Sequence, residues 1–146
     1  MTGDHAWQKV TAPRTMGIVP GFVLMGLRMA AGAVFVVFGA GKFVTFSSEV
    51  DHFEAFGLPW PTAAVVLAGL VEIVGGLMLL LGLLVRPAAV ILAIDMALAI
   101  ATAGRVEGGL LHLGLAPALL LLMLAIAWSG GTGWSLDARS GGRTGT

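Results

Sequence analysis

Residues 62–85 read TAAVVLAGLVEIVGGLMLLLGLLV, an apolar run in which Glu72 is the only ionisable side chain. A helix rises ~1.5 Å per residue, and about 20 apolar residues are enough to cross the hydrocarbon core of a bilayer. This stretch therefore predicts a transmembrane helix.

Three other stretches have the same character and lie at residues 17–46, 88–103 and 109–128. Residues 88–103 form the shortest of the four predicted spans, and Arg86-Pro87 is expected to make a tight turn before it. The pattern predicts an all-α membrane protein, a four-transmembrane-helix bundle. We divide the chain into a polar N-terminal tail (1–16), the membrane domain (17–137) and a disordered C-terminal tail (138–146).

The composition agrees with this fold class. Hydrophobic residues make up 58% of the 146 residues and charged residues 11%, whereas a soluble domain has about a quarter of its residues charged. The deficit indicates that much of the surface contacts lipid. The net charge is zero, so nucleic acid is not expected as a partner, and the absence of cysteine excludes disulfides and thiol chemistry.

The first loop, SSEVDHFEAF at residues 47–56, is polar but amphipathic. Val50, Phe53 and Phe56 recur at a spacing of three residues, which predicts a short interfacial helix on the membrane surface.

The positive-inside rule gives an orientation. With the N-terminus inside, the inner side has five Lys or Arg residues near the span ends, and the outer side has two, Lys42 and Arg105. The prediction is N-in/C-in, in a multi-pass protein of the cytoplasmic membrane with the interfacial helix in the first outer loop.

Five ionisable residues lie within or at the edges of the predicted spans: Arg28, Lys42, Glu72, Asp95 and His112. Counted from the span ends, three of them fall near the midplane. We therefore predict a buried polar core of Arg28, Glu72 and Asp95, with Lys42 and His112 nearer the outer boundary.

Glu49 or Glu54 could join that outer group. The cluster could be a set of structural ion pairs or a ligand or proton pathway, and Lys42 could instead extend toward the interface. No catalytic residue is predicted. A haem site within the membrane requires a second histidine at the depth of His112. The only candidate is His52, which lies in the loop helix predicted on the membrane surface. No haem or metal is therefore expected.

Several motifs resemble those of the DoxX family of small four-helix bacterial membrane proteins. The resemblance covers roughly residues 24–137 and rests on LRM (27–29), FGAGKF (38–43), FEAFGLP (53–59), EIVGGL (72–77), LGLLVRPAA (81–89) and GTGWSLD (131–137). The chain differs from the family where an acidic residue often follows a Gly-Gly pair, because here Gly108-Gly109 is followed by Leu110, Leu111 and His112.

The resemblance implies a redox setting, since family members are named as subunits of quinol-oxidase or thiosulfate:quinone oxidoreductase systems, and others resemble anchors of oxidative-stress complexes. The leading interpretation is an accessory or anchoring subunit, not an enzyme by itself, that works with protein partners or as a homo-oligomer. The alternatives are a quinone-binding subunit, with Arg28, Lys42 and Glu72 lining the quinone site, and a small oligomeric transporter.

Overall fold

The computed structural model describes residues 20–107 and 109–130, and all regular structure within these ranges is helical. The elements are α1 (Gly21–Val44), α2 (Phe46–Ala55), α3 (Pro61–Leu81), α4 (Val85–Ala101), α5 (Ala103–Val106), a π-helical turn (Leu111–Leu115) and α6 (Ala116–Ser129). The predicted tails, 1–16 and 138–146, lie outside the described residues.

Four segments are long and apolar enough to cross a membrane, which confirms the predicted fold class. They are Gly21–Val44, Pro61–Leu81, Val85–Val106 and His112–Ser129. The prediction that the third span is the shortest is wrong, because Val85–Val106 has 22 residues and His112–Ser129 has 18.

The turn between α3 and α4 also differs from the prediction. It occupies residues 82–84, and Arg86 and Pro87 lie in the first turn of α4. Gly82 closes α3 with φ +69°, a left-handed conformation that glycine adopts without steric cost. Leu84 is also left-handed, with φ +45°. Because Leu83 and Leu84 are apolar, the turn lacks the polar signal by which loops are usually recognised.

Antiparallel helices α1 and α3 form the tightest pair in the bundle. A Cβ atom added at Gly32 would lie 2.8 Å from the Gly76 carbonyl oxygen, and one at Gly39 would lie 2.8 Å from that of Gly69. These four glycines let the two backbones approach closely.

The second pair is α4 with α6, and α3 joins the two pairs through its contact with α4. A Cβ atom at Gly75 would lie 2.9 Å from the Leu92 side chain. Because the two helices are antiparallel, moving three residues from this contact brings Glu72 to the level of Asp95. Ala89 and Ala93 are buried on α4, whereas Ala97 is exposed.

Helix α2 confirms that the first loop is helical. It packs against α3 and also contacts α5, so it covers one end of the bundle. Val50, Phe53 and Phe56 are half-buried, and the last two rings contact each other with centroids 5.9 Å apart.

Candidate ligand-binding site

Lys42 and Glu72 form the closest charged contact between α1 and α3. The Lys42 Nζ atom donates to both oxygens of Glu72, at 3.1 Å to Oε1 and 2.9 Å to Oε2. The Lys42 side chain is 16% exposed and that of Glu72 is 5% exposed. Long side chains on a helix lean toward its N-terminus, and since α1 and α3 are antiparallel, these two lean toward each other.

Asp95 on α4 is the third member of this group. Its carboxyl group interacts electrostatically with the Lys42 ammonium and with the Glu72 carboxyl group. One ammonium group therefore faces two carboxyl groups. Burying unbalanced charge is expensive, so this group is best accommodated where water or a polar ligand can also reach it.

A cavity of about 510 Å³ adjoins the Lys42, Glu72 and Asp95 group. Pockets for small ligands commonly hold roughly 300–1,000 Å³ and combine apolar walls with a few polar groups. The walls here follow that pattern. The apolar and aromatic lining residues include Phe38, Phe53, Phe56, Leu58, Ala64, Leu67, Ala68, Val71, Ile91, Ile94, Leu98 and Ala99.

The cavity extends from the buried polar group to the outer surface of the bundle between α3 and α4. Leu67, Ile91, Ile94 and Leu98 all line it and are each more than half exposed, whereas Glu72 is buried. In a membrane, exposed leucine and isoleucine side chains within the spans contact lipid. The cavity therefore joins the lipid-facing surface to a buried carboxylate.

Helix α2 and the segment before α6 close the cavity at its other end. Glu107 lies between two histidines, with Oε1 3.4 Å from Nδ1 of His52 and Oε2 3.6 Å from Nδ1 of His112. His52, Glu107 and His112 all line the cavity, as does Glu49. We call α2, which carries His52, together with Glu107 and His112 the cap.

His112 is positioned by the π-helical turn Leu111–Leu115. Pro117 has no N–H to donate to the carbonyl of residue 113, which favours an irregular backbone just before it. Single π-helical turns are frequent at functional sites. A smaller cavity of about 100 Å³ shares Lys42, Glu72 and His112 with the larger one and is otherwise lined mostly by apolar residues of α1, α4 and α6.

Four of the five residues singled out from the sequence surround these cavities: Lys42, Glu72, Asp95 and His112. Of the two acidic candidates in the first loop, Glu49 lines the larger cavity, and Glu54 is not among its lining residues.

Arg28 does not belong to this group, which corrects the predicted core of Arg28, Glu72 and Asp95. Gly32 packs level with Gly76, Arg28 lies one turn from Gly32, and Glu72 lies one turn from Gly76 in the opposite direction. Arg28 and Glu72 are thus ~12 Å apart along the bundle. Arg28 is buried on α1, toward the end of the bundle away from the Lys42, Glu72 and Asp95 group.

Glu107 and the aromatic residues Phe38, Phe53 and Phe56 were not predicted as site residues. Glu107 had a local signal, since it directly precedes Gly108-Gly109, whereas the resemblance places the family's acid after such a pair. Among residues 20–107 and 109–130, no group of three or more histidine and carboxylate side chains is arranged to hold a metal ion.

The sequence of the chain matches a known protein family over the region that carries most of this site. The sequence model of the DoxX family matches residues 23–105, which is more than half of the chain and includes Lys42, Glu72 and Asp95. The chain belongs to the DoxX family. His112 lies beyond the matched region of this DoxX protein.

Relatives of this DoxX protein are named as membrane proteins in two bacteria. An uncharacterized membrane protein of Mycobacterium tuberculosis is 39% identical over 128 residues, covering 77% of this chain and 78% of the relative. The inner membrane protein YphA of Escherichia coli is 30% identical over 69 residues, covering 47% of this chain and 49% of YphA. No solved structure matches the chain.

Proposed function

We propose that this DoxX protein is an accessory subunit of the bacterial cytoplasmic membrane that binds a quinone and supports a redox or oxidative-stress system. The cavity of about 510 Å³ between α3 and α4 carries the proposal, because it combines lipid access with buried polar groups. A lipid-soluble molecule with a small polar head group fits that combination, and the quinones are such a class.

The residues around the polar end suit a quinone head group. A quinone ring has two oxygen atoms that need hydrogen-bonding partners, and its isoprenoid tail needs an apolar path. The donors that line the cavity include the Lys42 ammonium and the imidazoles of His52 and His112. Phe38 and the Phe53–Phe56 pair provide flat apolar surfaces for the ring.

An accessory role is proposed in preference to independent catalysis because the sequence has no cysteine or tyrosine to carry electrons. Electrons would have to pass between the bound quinone and a partner protein. A location in the cytoplasmic membrane is supported by the name of the relative YphA, an inner membrane protein.

The test is purification of the full chain in a mild detergent, followed by extraction and mass spectrometry of bound small molecules and co-purifying proteins. The proposal expects near-stoichiometric quinone in the wild type and much less in Leu67→Trp, which fills the cavity. Val37→Trp is the control, because Val37 is equally exposed on α1 but does not line the cavity. Equal quinone in both variants, or none in the wild type, would contradict the proposal.

A further inference from the structure

We propose that the cap carries protons between the water at its end of the bundle and the carboxyl pair of Glu72 and Asp95, and that this pair exchanges protons with one side of the membrane only. The inference goes beyond the proposed function, because it holds whichever ligand occupies the cavity.

The cap contains three proton-carrying side chains in a row. Glu107 Oε1 lies 3.4 Å from Nδ1 of His52, and Oε2 lies 3.6 Å from Nδ1 of His112. Because both rings turn Nδ1 toward Glu107, Nε2 of each ring can exchange a proton with another group. The exposed fraction of the side chain falls steadily from the surface inward: His52 50%, Glu107 34%, His112 30% and Glu72 5%.

The smaller cavity bridges the step from His112 to the buried pair. It holds about 100 Å³, and its lining includes His112, Lys42 and Glu72. A buried water molecule needs less room than this and a few polar partners, so water can enter and carry a proton between the imidazole and the Glu72 carboxyl group. Asp95 interacts with Glu72 and lines the larger cavity together with His112. The row therefore reaches both members of the pair.

Toward the opposite end of the bundle the row of proton carriers stops. Among residues 20–107 and 109–130, every carboxyl group and imidazole lies at the level of Glu72 and Asp95 or on the cap side of that level. The charged side chains beyond it are those of Arg28 and Arg86, and arginine does not release its proton in proteins. The described helices thus provide proton carriers from one end only.

Each step moves one proton. His52 takes a proton from water on Nε2 and gives its Nδ1 proton to the Glu107 carboxylate. The Glu107 carboxyl group rotates and passes the proton to Nδ1 of His112, which releases its Nε2 proton through water to the pair. Each ring ends neutral in its other tautomer and resets by rotation.

The pair is suited to receive that proton. When both carboxyl groups are ionised, they leave one negative charge beside the single ammonium group of Lys42. The arriving proton neutralises this charge, and the reverse transfer restores it. Chains of histidine and carboxylate side chains within a membrane are typical of proton relays.

The test follows protonation of the pair by infrared spectroscopy of the full chain in proteoliposomes with unequal numbers of the two orientations. The carbonyl band of protonated carboxyl groups is recorded after a jump of the external pH toward acid. The same record from Glu72→Gln/Asp95→Asn is subtracted to isolate the pair, or that from Asp95→Asn should the double variant fail to fold. The fraction of molecules with the cap outward is measured with Ser48→Cys on α2 and a membrane-impermeant maleimide.

We expect the fast part of the signal to equal the cap-outward fraction, and the rest to appear only after an ionophore equalises the internal pH. A fast signal that equals the cap-inward fraction, or that covers all molecules, would overturn one-sided access. A pair whose signal does not respond to pH at all would overturn proton exchange itself.

Two matched variants test the route through the cap. Glu107→Gln keeps the shape of the side chain but cannot carry a proton, so protonation of the pair should become at least about tenfold slower while its final signal is unchanged. Glu54→Gln, on α2 but outside the lining of both cavities, should have no effect. Equal rates in the two variants would exclude Glu107 as a proton carrier.

Discussion

Lys42 on α1 and Glu72 on α3 form a two-point ion pair, with Nζ 2.9 Å from Oε2 and 3.1 Å from Oε1. The pair joins the two helices that pack most closely in the bundle, and Asp95 on α4 lies beside it. The same contact therefore holds α1 against α3, contributes charge to the cavity and lies where the polar head group is proposed to bind.

Removing one partner of this pair should lower the free energy of unfolding more than removing both partners. Lys42→Met leaves the buried Glu72 carboxyl group without its cation and should lower the free energy of unfolding by about 3 kcal/mol. The double variant Lys42→Met/Glu72→Met should recover most of that loss. Denaturant titration in detergent, followed by loss of helicity, measures both. A single variant as stable as the wild type would show that the pair contributes little.

The glycine contacts between α1 and α3 predict that substituting alanine for two neighbouring glycines of α1 has different effects on the free energy of unfolding. Gly39→Ala places a methyl group 2.8 Å from the Gly69 carbonyl oxygen and should lower the free energy of unfolding by about 1–3 kcal/mol. Gly41→Ala, two residues away, meets nothing within 4 Å and should be neutral or slightly stabilising, since alanine favours helix. The same unfolding titration applies, and equal effects would refute the close packing.

The contacts of Glu107 should control ligand release more than stability. The three side chains are partly exposed and the two contacts are long, so Glu107→Gln should change the free energy of unfolding by less than about 1 kcal/mol. Because Glu107→Gln loosens the cap, dissociation of a bound quinone should become faster. Glu54→Gln, on the same cap but outside the cavity lining, is the control. Stopped-flow displacement would reveal the difference, and identical rates would count against the cap.

Much of the fold could be predicted because the spans and the loop helix have strong local signals. The level at which Glu72 meets Asp95 also follows from the chain, since a short turn between antiparallel helices fixes which residues face each other. The turn itself was misplaced because Leu83 and Leu84 look like membrane residues, while Arg86 and Pro87 look like a turn.

The candidate site was harder to predict because the depth of a residue in the membrane does not determine the direction in which its side chain points. Counting residues from the span ends placed Arg28 near Glu72, but the glycine contacts set a register that separates them by two helical turns. Lys42 was expected nearer the outer boundary, and its side chain instead points inward to Glu72. That direction depends on the register of α1 against α3 and on the face of α1 that packs on α3, which no local pattern reveals.

The N-in/C-in orientation remains a prediction, and the chain is well suited to testing it because it has no cysteine. Ser48→Cys on α2 and Leu83→Cys in the turn between α3 and α4 each introduce a single exposed thiol. A membrane-impermeant maleimide added to intact cells should label Cys at position 48 and not at position 83. The opposite pattern would invert the topology without changing the site.

The proposed occupancy of the cavity beside Lys42, Glu72 and Asp95 by a quinone-type ligand can be tested directly. Its most direct test is a photoreactive quinone analogue cross-linked to the full chain in nanodiscs, with the labelled residues mapped by mass spectrometry. We expect labelling of cavity residues on α2, α3 and α4, such as Phe53, Leu67 and Ile94, with competition by excess unlabelled quinone. Label that is spread over lipid-facing residues away from the cavity, such as Val37, and is insensitive to excess unlabelled quinone would contradict binding in the cavity.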